Sequence, residues 1–227
     1  MSNILAIIPA RDGSKEIPRK NIKLLNGIPL IAHSIIYAKS SSLINKIVVT
    51  TDSKEIKNIA LKYNANIIDR PKKISGDFAT TESAIDHALN QLNDKPDIIV
   101  LLQPTSPLRP NNSLDDALNL FIKNKYDSLL SISPTHRFFW KISSDKKTVI
   151  PEYNYKKRPQ RQNIKDKDVL YIENGSLYIF TYKHFSQNKN RLGGVIGYTI
   201  FPEEYSMEID SELDFILMEK ISKLFKL

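Results

Sequence analysis

The chain has 227 residues, 41% of them hydrophobic and 26% charged, which is the composition of an ordinary globular domain. A disordered chain, a collagen and a coiled coil are excluded, and with no cysteine present so are disulfides, thiolate zinc sites and cysteine nucleophiles. The formal charge of +8 admits nucleic acid, a membrane surface or a small anionic substrate, but the excess is mostly Lys (25 against 8 Arg), scattered along the whole chain.

Asn3–Pro9 is a short continuous apolar run ending at Pro, which suits a strand buried on both faces. It is too short to span a bilayer, and Met1-Ser2-Asn3 lacks the positive start of a signal peptide, so a soluble, cytoplasmic protein is expected. Pro29 can open a helix through Ile31 and Ile35. Lys46–Thr50 reads as a second strand, and Ile56, Ile59, Ala60 and Tyr63 then follow helical spacing. The same spacing returns at Ile85, Ala88, Leu89 and Leu92, before the apolar run Asp97–Leu102. It returns once more at Leu114, Ala117, Leu118 and Phe121, before Ser128–Ile132.

After Pro134 the texture changes to charge and aromatics without a period, and the segment 136–170 is expected to be an excursion from the domain. Strand-like alternation resumes at Leu177–Phe180 and Val195–Phe201, and residues 210–224 form an amphipathic helix using Leu213, Ile216, Leu217, Ile221 and Leu224. Strands alternating with helices predict one α/β domain over 1–227, a doubly wound and mostly parallel sheet.

In such a sheet ligands bind beyond the carboxyl ends of the strands. The first strand runs directly into Ala10–Asn21, a Gly-Ser turn with the cations Arg11, Lys15, Arg19 and Lys20. Backbone N–H groups there can cradle phosphate oxygens while the cations neutralise charge, although the same segment also reads as a basic surface loop. Neither a Walker loop nor a dinucleotide fingerprint is present. A later strand ends in Gln103-Pro104-Thr105-Ser106-Pro107-Leu108-Arg109, where Gln103 can read a base or sugar and Arg109 can hold a carboxylate or phosphate. Glu208 and Asp210 are two apart in an extended segment and share a side, which suits a magnesium ion shared with phosphates. The alternative is capping: Asp210 or Ser211 can cap the last helix, and Ser211 with Asp214 fits a capping box. His33, His87, His136 and His184 are isolated and read as structural or surface residues. No G-x-S-x-G elbow supports a hydrolase triad.

Together these segments resemble one family. Ile8-Pro9-Ala10-Arg11-x-Gly13-Ser14-Lys15-x-Ile17-Pro18-x-Lys20-Asn21-Ile22 is similar to the opening motif of the CMP-sialic acid synthetases, the acylneuraminate cytidylyltransferases. Leu102–Arg109, Arg70-Pro71 with Asp77–Thr81, Arg158–Gln162 and Glu173–Tyr178 resemble its later motifs, in order along the chain. The resemblance implies a nucleotidyltransferase-like fold and transfer of CMP from CTP to an acidic nine-carbon sugar, sialic acid or a relative, with release of pyrophosphate and with Mg2+ as cofactor.

Carried over residue by residue, Ala10, Arg11, Asn21, Arg70, Ala79, Thr81 and Gln103 are implied to contact the nucleotide. Arg11, Ser14, Lys15 and Lys20 are implied to hold the triphosphate, with Asp210 and Glu208 as metal ligands. Lys141, Arg161 and Gln162 are implied to reach the reacting groups, and Tyr178 to contact substrate. The group for the sugar carboxylate stays open among Arg109, Lys141 and Arg161. The 136–170 excursion resembles the family's dimerisation arm, so a homodimer is expected, with neither nucleic acid nor membrane as partner. The rivals are a CMP-Kdo synthetase-like transferase, against which the Glu-Asn-Gly-Ser segment speaks, and a basic nucleic-acid-binding module, for which only Tyr153–Gln162 offers clustered cations and aromatics.

Overall fold

The computed structural model describes residues 2–13, 16–165 and 168–225. The leading apolar run forms β1 (Ile4–Pro9), and its alternation decides the architecture. Ile4, Ala6 and Ile8 face one side layer and Leu5 and Ile7 the other, and all five are buried. A strand buried on both faces belongs in the middle of a sheet covered twice.

After the short hairpin β2 (Leu24–Leu25) and β3 (Ile28–Pro29), the chain alternates. It passes through α1 (Leu30–Ser40), β4 (Lys46–Thr51), α2 (Lys54–Lys62), β5 (Asn66–Asp69), α3 (Thr81–Asn90), β6 (Ile98–Leu101) and α4 (Ser113–Asn124). Then come β7 (Ser128–Thr135), the small hairpin β8 (Trp140–Ile142) and β9 (Val149–Pro151), and the long β10 (Leu170–Thr181). The chain closes with α5 (Tyr182–Asn188), β11 (Ile196–Ile200) and α6 (Glu212–Leu224).

Seven strands make one sheet in the order β11-β7-β10-β6-β1-β4-β5. All its pairings are parallel except those of β10, which runs antiparallel to both β6 and β7. Helices α1, α2 and α4 bury Ile31, Ile35, Ile56, Ala60, Leu118 and Phe121 on one face. On the other face α3 and α5 bury Ile85, Ala88, Leu89 and Phe185. The doubly wound, mostly parallel α/β sheet expected from the alternation is therefore present. A third apolar cluster (Ile17, Leu25, Leu30, Leu108, Ile209, Phe215 and Met218) ties α6 to the first loop and the hairpin.

The chain leaves the sheet where β7 ends at Thr135 and rejoins it where β10 begins at Leu170. The excursion has more internal order than its composition suggests. Phe138 stacks on Tyr153 at 4.3 Å, Trp140 meets Tyr153 edge-on at 5.7 Å, and Arg158 lies over Phe138 at 4.5 Å. Among the described residues no helix is long and apolar enough to cross a membrane.

Candidate active site

A cleft of about 280 Å³ opens at the carboxyl ends of the strands. It is lined by Pro9, Arg11, Lys20, Asn21, Arg70, Ala79, Thr80, Thr81, Gln103, Pro104 and Thr105. Its walls come from the loops leaving β1, β5 and β6 and from the start of α3. The strand order changes direction beside β1, where crevices of open α/β sheets form.

Backbone geometry explains how these side chains converge. Ala10 N–H donates to Thr50 O at 3.0 Å, carrying the β1–β4 pairing one residue past the strand, so Arg11 emerges at the cleft. Asn21 Nδ2 donates to the Arg11 carbonyl at 2.9 Å; the residue expected to read the nucleotide also fastens the first loop. Lys20 Nζ donates to the Ile209 carbonyl at 2.8 Å and lies 3.7 Å from the Asp210 carboxylate. Ile209 N–H in turn donates to Thr105 O at 2.8 Å. These bonds hold the 208–210 segment against the cleft wall, with Ile209 buried and Asp210 exposed at the rim.

Among the described residues three cations, Arg11, Lys20 and Arg70, line the cleft in distinct settings. Arg11 Nη1 pairs with Asp77 Oδ1 at 3.1 Å on the loop that leads into α3. Arg70 is buried, and desolvation holds its pKa below the usual value, with Asp52 opposing and Arg11 reinforcing the shift. Its Nε and Nη2 have no hydrogen-bond partner among the described residues. Helix α3 starts on the same wall, capped by Thr80 Oγ1, which accepts from Ser83 N–H at 3.1 Å; the positive end of that helix favours an anion.

Glu208 lies against a bulge in β10 between Glu173 and Tyr178. The bulge is held from inside. Ser131 Oγ donates to Asn174 Oδ1 at 2.5 Å, Asn174 Nδ2 donates to Ser133 Oγ at 2.9 Å, and Leu177 N–H donates to Ser131 Oγ at 3.0 Å. Gly175 there has φ +65°, and a Cβ on it would lie 2.6 Å from Glu208 Oε1, so only glycine lets Glu208 approach. Burial, then the charges of Asp210 and Glu173, push the Glu208 carboxyl up to about 7, with Lys20 opposing. Among the described residues no three His, Asp or Glu side chains converge into a metal cage.

Capping is assigned differently from metal binding. Ser211 Oγ accepts from Asp214 N–H at 3.2 Å and Asp214 Oδ2 accepts from Ser211 N–H at 2.7 Å, a complete capping box. Asp210 contributes only its own N–H, to Asp214 Oδ2, and its carboxylate is not the cap.

Several expected residues stand elsewhere. Arg109, a candidate for the sugar carboxylate, is buried and does not line the cleft. Its Nε donates to Ser176 O at 3.2 Å, its Nη1 to Ser34 Oγ at 3.2 Å and its Nη2 to Gln103 O at 2.8 Å, while its guanidinium lies over Tyr37. Desolvation lowers its pKa to about 10. Three of its five N–H donors thus go to neutral groups, one of them the Gln103 carbonyl beside the cleft. Tyr178, expected at the substrate, is likewise buried, its hydroxyl donating to Glu173 Oε1 at 2.5 Å. Lys141 pairs with Glu152 on the exposed hairpin, and Arg161 and Gln162 are exposed on the excursion; none of the three lines this chain's cleft. Ser14 and Lys15 lie outside the described residues. His33 is buried with Nε2 3.1 Å from Leu25 O, a packing role as expected. Thr80, Thr105 and Asp77 lie inside the motif segments Asp77–Thr81 and Leu102–Arg109, but the sequence reading gave none of the three a role of its own; Thr80 also stands at N-cap spacing before the Ile85 period.

A family model described as cytidylyltransferase matches residues 5–227. The chain belongs to the cytidylyltransferase family. It is a nucleotidyltransferase enzyme. It is 36% identical over 233 residues to the CMP-N,N'-diacetyllegionaminic acid synthase of Legionella pneumophila, covering 97% of each chain. It is 35% identical to N-acylneuraminate cytidylyltransferase A of Danio rerio over 96% of this chain, and spans about half (50%) of that relative's length. A solved structure of CMP:2-keto-3-deoxy-manno-octonic acid synthetase complexed with CTP covers 100% of both chains with a TM-score of 0.73, but at 13% identity this likeness concerns the fold alone.

Proposed function

We propose that this cytidylyltransferase joins CTP to an acidic nine-carbon sugar, sialic acid or a related nonulosonic acid, giving the CMP-sugar and pyrophosphate. The observation that carries the reading is the buried Arg70 guanidinium, with two donors unpartnered among the described residues, in a cleft shared with Arg11, Lys20, Asn21, Ala79, Thr81 and Gln103. Buried guanidinium donors without a hydrogen-bond partner are costly unless a ligand anion completes them. The choice of sugar rests on the names of the relatives.

In this reading Ala10, Asn21, Arg70, Ala79, Thr81 and Gln103 hold the cytidine half, and Arg11, Ser14, Lys15 and Lys20 hold the phosphates. The anomeric hydroxyl oxygen attacks the α-phosphorus in line and its proton passes to solvent; the bond from the α-phosphorus to the α–β bridging oxygen breaks, and pyrophosphate leaves with that electron pair. Such a transfer needs positioning and charge neutralisation more than covalent help. Asp210 and Glu208 would hold Mg2+, and the donor set fits: hard carboxylate oxygens, one exposed at the rim and one whose charge is disfavoured by its neighbours. Two protein carboxylates suffice where water and substrate phosphates complete the shell. The chemistry a magnesium ion supplies there is charge neutralisation on phosphate oxygens and a lower pKa for a bound hydroxyl.

The assembly is a homodimer working in the cytoplasm, with neither nucleic acid nor membrane as partner. Ile142, Val149, Ile150 and Tyr155 are exposed on the excursion, and Ile196, Tyr198 and Ile200 on the edge strand β11. Apolar surface of this kind favours a second copy. Lys141, Arg161 and Gln162 would then serve the cleft of that copy. The test is incubation with CTP, magnesium and a panel of acidic sugars, read by mass. A CMP-sugar with a nine-carbon acid supports the reading; product with Kdo alone would replace it with the eight-carbon chemistry.

A further inference from the structure

We propose that Arg191 is a positioning residue that sets the α3 wall of the cleft, an inference that rests on the nucleotide reading of that cleft. The loop between α5 and β11 grips α3 through two cations. Lys189 Nζ lies 2.7 Å from Asp86 Oδ1, and Arg191 Nη1 lies 2.7 Å from Glu82 Oε1. Glu82 and Asp86 are four residues apart on one helix, so they share a face.

The two ties have different surroundings. Lys189 and Asp86 are 57% and 36% exposed, an ordinary solvated pair. Arg191 and Glu82 are only 21% and 27% exposed. The Arg191 guanidinium also lies over the Tyr178 ring, 4.6 Å from its centroid, and Tyr178 donates its hydroxyl to Glu173. A planar guanidinium can bind a carboxylate at its edge while its face covers a ring; an ammonium cannot do both.

The chain of contacts runs from one wall of the site to the other. Glu82 is the residue after Thr81, in the first turn of the helix whose start supplies Ala79, Thr80 and Thr81 to the cleft. On the other side, Arg191 covers Tyr178 of β10, the strand whose Gly175 faces Glu208. Arg191 itself does not line the cleft, so its effect there passes through Glu82 and Tyr178. It fixes where the first turn of α3 stands relative to β10, and hence the width of the nucleotide cleft.

The test is titration calorimetry of CTP with the wild-type enzyme and with Arg191→Gln, Arg191→Lys, Glu82→Gln and Lys189→Gln, alongside melting temperature and steady-state kinetics. Arg191→Gln and Glu82→Gln should each weaken CTP binding roughly three- to tenfold, and the double variant should be no worse than the weaker single, as groups acting in one unit behave. KM for CTP should rise while kcat stays within about twofold, the signature of lost ground-state binding. Arg191→Lys should fall between wild type and Arg191→Gln, and Lys189→Gln should bind CTP normally. Wild-type binding by Arg191→Gln, an equal loss in Lys189→Gln, or fully additive losses would overturn the proposal. If Arg191→Gln melts early, Glu82→Gln removes the same pair from the helix side and decides the matter. A wild-type enzyme that binds no CTP would overturn the nucleotide reading and this proposal together, whereas normal wild-type binding with a normal Arg191→Gln removes only the positioning role.

Discussion

Replacing Asp210 by Asn should leave the fold intact and remove most of the turnover, because the structure separates the helix cap from the carboxylate at the cleft. The cap belongs to Ser211 and Asp214. The interaction Asp210 loses is its 3.7 Å pair with Lys20, and at 74% exposure that pair is heavily screened. The stability cost is therefore at most about 0.5 kcal/mol, or a fall in melting temperature of no more than about 2 °C for a chain of this length. A metal ligand behaves differently: even groups that only support one cost roughly 10- to 100-fold when removed, so the loss of kcat should reach about 100-fold or more. Ser211→Ala is the mirror image. It removes the acceptor for Asp214 N–H, costs about 1 kcal/mol, lowers the melting temperature by about 2–4 °C, and should keep kcat. The assay pairs a thermal melt with initial rates over a magnesium series for both variants. Near-normal turnover of Asp210→Asn at low magnesium, with unchanged stability, would refute the metal assignment.

Three further outcomes follow from the same geometry. Arg109→Met should destabilise the fold by roughly 3 kcal/mol in denaturant titrations, since it strands the buried Ser34 and backbone acceptors it now serves; a normal melt with a selectively raised KM for the sugar would return Arg109 to the substrate. Mixing Arg11→Ala chains with Arg161→Ala chains should restore activity that neither variant has alone, and inactivity of the proven heterodimer would exclude a cleft completed in trans. Burial holds the His33 pKa below its ordinary 6.5, so the unfolded chain binds the proton first as pH falls. Stability should accordingly drop below about pH 6.5 and level off once native His33 is protonated too, and His33→Gln should flatten that part of the acid limb; an identical acid slope in the variant would contradict this.

The sheet was legible because β1 is apolar on both faces and the helical periods between strands are clean. The short pieces were not. β5 offers four residues, Asn66–Asp69, with two apolar side chains, and α5 is a seven-residue helix started by the Thr181 cap rather than by any apolar period. At the site, charge beside a strand end located Arg11 and Lys20, and the later motifs located Arg70, Ala79, Thr81 and Gln103. Arg109 is ambiguous in sequence because an Arg at a strand end has the same signature whether it faces a ligand or is buried among carbonyls. Only the tertiary placement of Ser34 and Ser176 distinguishes them. The Asp210 ambiguity has the same origin, since Asp-Ser-x-x-Asp supports two registers of cap and geometry selects Ser211. Couplings between distant segments, such as Lys20 with Ile209 or Arg191 with Glu82, leave no local pattern at all.

The most direct test of cytidylyl transfer follows the phosphorus atoms. CTP labelled at the α-phosphate and, separately, at the γ-phosphate is incubated with magnesium, an acidic nine-carbon sugar and the enzyme. The α-label should travel with cytidine onto the sugar, and the γ-label should leave entirely as pyrophosphate. A γ-label on the sugar, or an α-label released as free CMP at the same rate with and without sugar, would contradict the account.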